Sequence, residues 1–104
     1  MDRSAIVRYL MAQGFSPSYL GFYYFRDCIY YKLATGAGTK QLYIAVAADY
    51  KTSWKAVEHC IRTLIRNWYI DMGKPPWKTP CNKLLIAQAS GRLRLGNGER
   101  LCDL

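Results

Sequence analysis

Apolar residues recur along this chain at intervals of three and four, the spacing of one face of an α-helix, and polar, Gly- or Pro-containing breaks interrupt the recurrence. In "SAIVRYLMAQ", residues 4–13, Ile6, Val7, Leu10 and Met11 take helical positions, and Gly14 is placed to cap the C-terminus. "FSPS" turns the chain, because Pro17 has no place in a helix interior. "YLGFYYFRDCIYYKLA", residues 19–34, reads as a second helix with Phe22, Tyr23, Tyr24, Phe25, Tyr30 and Tyr31, which cannot all face one way. Most of these rings are expected to wrap the core with their hydroxyls reaching water. "TGAGTK", residues 35–40, lacks the strand and spacing of a phosphate-binding loop and reads as a linker. "QLYIAVAADY", residues 41–50, predicts a short third helix.

Lys51, Thr52 and Ser53 then interrupt the pattern. Beyond them Val57, Ile61, Leu64, Ile65 and Trp68 define the apolar side of a long helix from Trp54 to about Met72, ended by Gly73. "KPPWKTP" excludes helix and central strand, because its three prolines remove donors and fix φ. Asn82 is placed to cap a last helix, "KLLIAQASGRLRL", with Leu84, Leu85, Ile86, Ala89 and Leu93 as its apolar side. Strand signals and repeats are missing. The fold class is all-α, a domain of about five helices over residues 1–95 with a flexible tail at 96–104.

Charge changes the picture on one helix. Opposite the apolar stripe of residues 54–72 stand Lys55, His59, Arg62 and Arg66. The chain carries 15 Lys and Arg against 7 Asp and Glu, a net +8, and the excess lies in the second half. A basic face of this kind favours a polyanionic partner. No stretch approaches the roughly 20 apolar residues of a membrane span, and "MDRSAIVRYLMAQGF" has charges at Asp2, Arg3 and Arg8 that a secretory signal would not carry. A cytoplasmic protein without membrane contact is expected.

Cys28, Cys60, Cys81 and Cys102 include no C-x-x-C pair, and the single histidine, His59, adjoins Cys60 on a helix where neighbours diverge. Reduced, mostly buried thiols are expected, with no metal and no cofactor. Catalysis would need a base, an orienter and a cleft. Asp27, Asp49 and Glu58 are not paired by spacing, so no enzyme is expected.

A short helix, a three-residue break and a longer amphipathic helix match the helix-turn-helix pattern, in which the second helix enters the DNA major groove. The first helix would be residues 42–50, with Ala45, Ala47 and Ala48 small enough for a close crossing. Thr52 or Ser53 would cap the second helix and can also contact phosphate. Lys51 and Lys55 lie at the entry point, Glu58, His59 and Arg62 follow on the outward face, and Arg66 lies one turn further. Arginine can donate two parallel hydrogen bonds to guanine, and glutamate can accept from cytosine N4. Glu58 and Arg62 at i,i+4 could equally be a solvent-facing pair.

Three blocks, "GFSPSYLGFYYFRDCI", "YKTSWKAVEHCIRTLIRNWY" and "PCNKLLIAQASGRLRL", resemble the C-terminal DNA-binding effector domain of the stage-zero sporulation master regulator of endospore-forming bacteria, over about residues 5–95. The resemblance implies about six helices and a transcription factor that docks its recognition helix on double-stranded DNA. It also implies adjacent copies on the DNA and contact with the transcription machinery. Glu58 and Arg62 match residues that contact the target in that family, and Thr52 and Ser53 match its turn threonines. Ala56 and His59 stand where the family pattern has arginines, Thr63 stands where it has histidine, Trp54 replaces a small residue, and the 33–41 segment is shorter. His59 can still donate to a base or phosphate, while Ala56 can contact only a thymine methyl. Lys51 and Lys55 add charge, so affinity is expected to survive with an altered sequence preference. The family's regulator also carries a receiver domain, whose alternating strand–helix pattern this sequence lacks.

The candidate DNA-binding set is therefore Lys51, Thr52, Ser53, Lys55, Ala56, Glu58, His59, Arg62, Thr63 and Arg66. The competing expectation is a protein-interaction module that keeps the fold without specific DNA reading. The missing arginines, the aromatics of Tyr23–Tyr31 and Trp54 at the helix start favour that alternative.

Overall fold

The carboxylate of Asp2 accepts the backbone N–H of Ala5 at 2.8 Å and so caps the first helix, α1 (Arg3–Ala12). In the computed structural model, which describes residues 2–96 and Leu101, four helices follow. They are α2 (Leu20–Thr35), α3 (Thr39–Tyr50), α4 (Trp54–Asp71) and α5 (Asn82–Leu95), with a single 3-10 turn at Pro76–Lys78 before α5. No strand occurs among the described residues. Five α-helices and one 3-10 turn agree with the all-α class and the five to six helices expected.

α2 is the central helix and packs against each of the other four. Its sequence explains this position, because Phe22, Phe25, Cys28 and Ile29 are fully buried and Tyr24 nearly so, on more than one side of the helix. A helix apolar all round belongs inside a fold. Around it lie Ile6 and Leu10 of α1, Leu42 and Val46 of α3, Val57, Ile61, Leu64 and Ile65 of α4, and Leu85, Ile86 and Ala89 of α5. Tyr23, Tyr30 and Tyr31 are half-buried and pack against the same core, so the aromatic run wraps the interior as its sequence predicts.

The link between α1 and α2 is fastened to the far end of α4. Phe15 stacks on Trp68 with ring centroids 4.5 Å apart, and Trp68 Nε1 donates to the carbonyl of Gln13 at 2.7 Å. The backbone N–H of Leu101 donates to Gln13 Oε1 at 2.9 Å, and its side chain is buried. The rest of the tail beyond Gly96, Cys102 included, lies outside the described residues.

Several sequence expectations are corrected. Asn82 does not cap α5, because Cys81 occupies the cap position. The Asn82 side chain is buried instead and donates Nδ2 to the Glu58 carbonyl at 3.0 Å, which pins the start of α5 against α4. Part of the "KPPWKTP" segment is helical after all, because proline at the first positions of a short turn sacrifices no needed donor. Met11 and Leu84 face water rather than the core. Cys28 is buried, Cys60 half-buried and Cys81 exposed. Of the three alanines of α3, Ala47 is buried, Ala45 half-buried and Ala48 exposed. α2 and α4 approach closely at Gly21, where a Cβ would stand 2.2 Å from the Cys60 carbonyl oxygen. No described helix is long and apolar enough to cross a membrane.

Candidate nucleic-acid interface

α3 ends where Lys51 takes the left-handed conformation, φ 55° and ψ 46°. That conformation costs a residue with a side chain roughly 1 kcal/mol or more. The Lys51 N–H closes on the Ala48 carbonyl, and the Thr52 N–H donates to the Ala47 carbonyl at 3.0 Å. These bonds satisfy the last carbonyls of α3 and reverse the chain within three residues. Ser53 then opens α4, its hydroxyl accepting the N–H of Ala56 at 3.1 Å. Of the two predicted caps, Ser53 is the one used, because Thr52 is already committed to closing α3.

The buried side of α4 is Val57, Ile61, Leu64, Ile65, Trp68 and Tyr69. All but Tyr69 are legible from the apolar spacing. On the opposite side Lys55, His59, Arg62 and Arg66 are exposed and fall at i, i+4, i+7 and i+11, a straight stripe along the helix. Thr63 is exposed and Ala56 half-buried along one edge of this stripe, and Glu58 is half-buried along the other. Lys51, Thr52 and Ser53 are exposed on the turn at its head. The structure brings all ten predicted site residues onto one continuous surface and buries none of them.

Within the stripe, Arg62 Nη2 lies 3.6 Å from Glu58 Oε2 and 3.1 Å from His59 Nδ1. Arginine has only donors, so in this contact Nδ1 of His59 is the acceptor. The Arg62 side chain is 60% exposed. Such surface pairs contribute about 1 kcal/mol at most, so the guanidinium is held near its neighbours yet can exchange them for another acceptor. Trp54 lies half-buried against the core, with Lys40 Nζ 4.9 Å and Lys55 Nζ 5.8 Å from its ring centroid. Beside α4 runs an open groove of about 490 Å³, bounded on the helix side by Glu58, Arg62 and Arg66 and across from it by Thr79, Cys81 and Lys83.

Sequence reasoning missed the group that holds the turn in place. Asp27 is 3% exposed. It takes hydrogen bonds from Arg3 Nε at 3.0 Å, Arg26 Nε at 2.8 Å and Tyr50 Oη at 2.8 Å. Burial alone would raise its pKa, but the bonds from Arg26 and Tyr50, the Arg26 charge and the bond from Arg3 together outweigh it. The carboxyl is therefore held below the usual carboxylate range. Burial first, then the bond to Asp27 and its negative charge, push the Tyr50 hydroxyl up to about 12. No periodic signal marks this cluster, because Arg3 and Tyr50 lie a full helix away from Asp27 in sequence. Among the described residues no three His, Cys, Asp or Glu side chains gather as a metal site would need.

A tight turn between two helices, the second capped, basic and open to solvent, agrees with a helix-turn-helix domain. The chain belongs to the family described as the sporulation initiation factor Spo0A C terminal, whose pattern matches residues 6–90. This is a family of bacterial DNA-binding effector domains of transcription factors and not one of enzymes. No curated protein matches the chain.

Proposed function

We propose that this domain regulates transcription by sequence-selective binding to double-stranded DNA, with α4 in the major groove. The observation that carries the reading is the exposed stripe Lys55–His59–Arg62–Arg66 on a helix whose start is capped by Ser53. A helix with its side chains is roughly 10–12 Å across and the major groove about 12 Å wide, so one such face fills it. In this arrangement Arg62 donates to guanine, Glu58 accepts from cytosine, and Ala56 meets a thymine methyl. His59 donates from its ring, and Thr63 reaches the same surface. Lys51, Thr52, Ser53, Lys55 and Arg66 meet phosphates and fix the register. On family grounds the reading includes adjacent copies on DNA, contact with the transcription machinery and action in the cytoplasm.

The protein-interaction alternative drew on exposed aromatics. Phe22, Tyr24 and Phe25 are buried, Tyr23, Tyr30 and Tyr31 pack against the core, and so does Trp54. The aromatic support is thereby reduced, while Ala56 and His59 in place of the family's arginines still favour this alternative.

Selection of bound oligonucleotides from a random pool at two salt concentrations tests the reading. A defined sequence should emerge, with affinity falling as salt rises by about 0.9 in logarithmic slope per phosphate contact. Arg62→Ala should then cost roughly 1–3 kcal/mol and relax the preference, whereas Lys55→Ala should weaken binding to all sequences alike. An Arg62→Ala variant with unchanged affinity and unchanged preference would show that α4 does not read bases.

A further inference from the structure

A second basic concavity lies beyond the ten residues above. Lys32 near the end of α2, Lys40 at the start of α3 and Lys83 at the start of α5 line an open cavity of about 310 Å³. No residue lining it carries a carboxylate. Three cations from three separate helices converging on one cavity repel one another unless an anion joins them. Lys32 keeps its position by donating to the carbonyl of Ala37 at 3.0 Å, and Lys40 lies against the ring of Trp54, the first residue of α4. Lys40 and Lys83 are exposed.

The geometry points to this cavity as a phosphate-backbone contact, gripping the DNA strand that flanks the groove occupied by α4. This deepens the reading above and rests on it. Two features select a DNA phosphodiester as the occupant. Lys83 also lines the groove that Arg62 and Arg66 bound, so one cation joins the groove beside the α4 stripe to the cavity. Lys40 touches Trp54, which ties the cavity to the head of the same helix. A helix in the major groove has a phosphate strand on either side of it, and contacts to those strands fix register without carrying sequence information.

The test compares Lys40→Ala, Lys83→Ala and the double variant with wild type. Fluorescence anisotropy is read on the selected duplex and on a scrambled duplex over a series of salt concentrations. Thermal unfolding serves as the control for folding. Lys32 is left unchanged because it also closes the end of α2. Each single variant should weaken both duplexes by the same factor and make the salt dependence shallower by about 1, and the double variant by about 2. The ratio between the two duplexes should stay at the wild-type value. A double variant with wild-type affinity and slope, beside an Arg62→Ala variant that weakens binding, overturns this inference and leaves the reading by α4 standing. A change in the ratio overturns it too, because it would place these lysines on bases. If Arg62→Ala is also silent, the reading by α4 fails, and this inference falls with it.

Discussion

Tyr50 Oη donates to Asp27 Oδ2 at 2.8 Å, joining the last residue of α3 to the buried middle of α2. Arg26 Nη2 donates in turn to Tyr50 Oη at 3.2 Å, so carboxylate, hydroxyl and guanidinium close a ring of contacts. Lys51 and the three-residue turn follow at once. The end of α3, and through it the direction in which α4 leaves the turn, is anchored by a buried negative charge.

Asp27→Asn should therefore destabilise the domain by about 2 kcal/mol at neutral pH. That is less than the 3–5 kcal/mol of a fully buried pair losing one partner, because the Arg3 side chain is 42% exposed and can turn to water. The pH dependence has a definite sign. The folded carboxyl titrates below its unfolded value of about 3.9, so its contribution is present above that value and is lost as pH falls through the lower folded value. Urea denaturation at a series of pH values should show the gap between wild type and Asp27→Asn narrowing as the solution is acidified through this range. A gap that stays constant would mean that Asp27 is not charged in the fold.

Tyr50→Phe keeps the ring that packs edge-on to Tyr24 with centroids 5.0 Å apart and removes only the hydroxyl. The expected loss is about 1 kcal/mol, one hydrogen bond to a charged group at a partly exposed site. An ordinary tyrosine ionises near 10, whereas Tyr50 ionises at about 12. Its raised value means the contribution is complete below the unfolded value and disappears as pH rises through the folded one. A spectrophotometric titration of the folded protein should lose one late-ionising tyrosine in the variant.

How much of this could be read from the sequence depended on whether the signal was periodic. α4 has one dry side and one wet side, so Val57 to Trp68 and Lys55 to Arg66 fell out of the spacing directly. α2 is apolar on several sides, so its helix was legible while its central place was not. A serine and a threonine in succession could not reveal which would cap α4, because that depended on Lys51 turning left-handed and engaging Thr52. Asn82 looked like a cap because asparagine at a helix start usually is one, but α5 packs so close to α4 that the Glu58 carbonyl took its amide. Asp27 with Arg3 and Tyr50, Gly21 with Cys60, and the Lys32, Lys40 and Lys83 cavity all join residues far apart in sequence. No local pattern encodes such meetings.

Gly21→Ala tests the crossing that seats α4. Its new methyl group would stand 2.2 Å from the Cys60 carbonyl oxygen and 3.2 Å from Leu64 Cβ. The first of these is backbone in the middle of α4 and cannot rotate aside, so α2 and α4 must separate. The cost should reach the upper end of the overpacking range, about 3 kcal/mol or more. A chemical denaturation midpoint within error of wild type would mean that the two helices are not this close.

Ser53 separates stability from DNA contact, because two substitutions move the two properties in different directions. Ser53→Ala removes the acceptor of the Ala56 N–H and should cost about 1 kcal/mol. Ser53→Asp restores an acceptor and places a negative charge at the positive end of the α4 dipole, so its stability should equal or exceed that of wild type. The same carboxylate would face phosphates if the head of α4 enters the groove, and DNA affinity should then fall for every sequence, most steeply at low salt. Thermal unfolding and anisotropy on one set of samples distinguish the two effects. A stable Ser53→Asp protein that binds DNA as tightly as wild type would place the start of α4 away from the phosphates, and with it Lys51, Thr52 and Lys55.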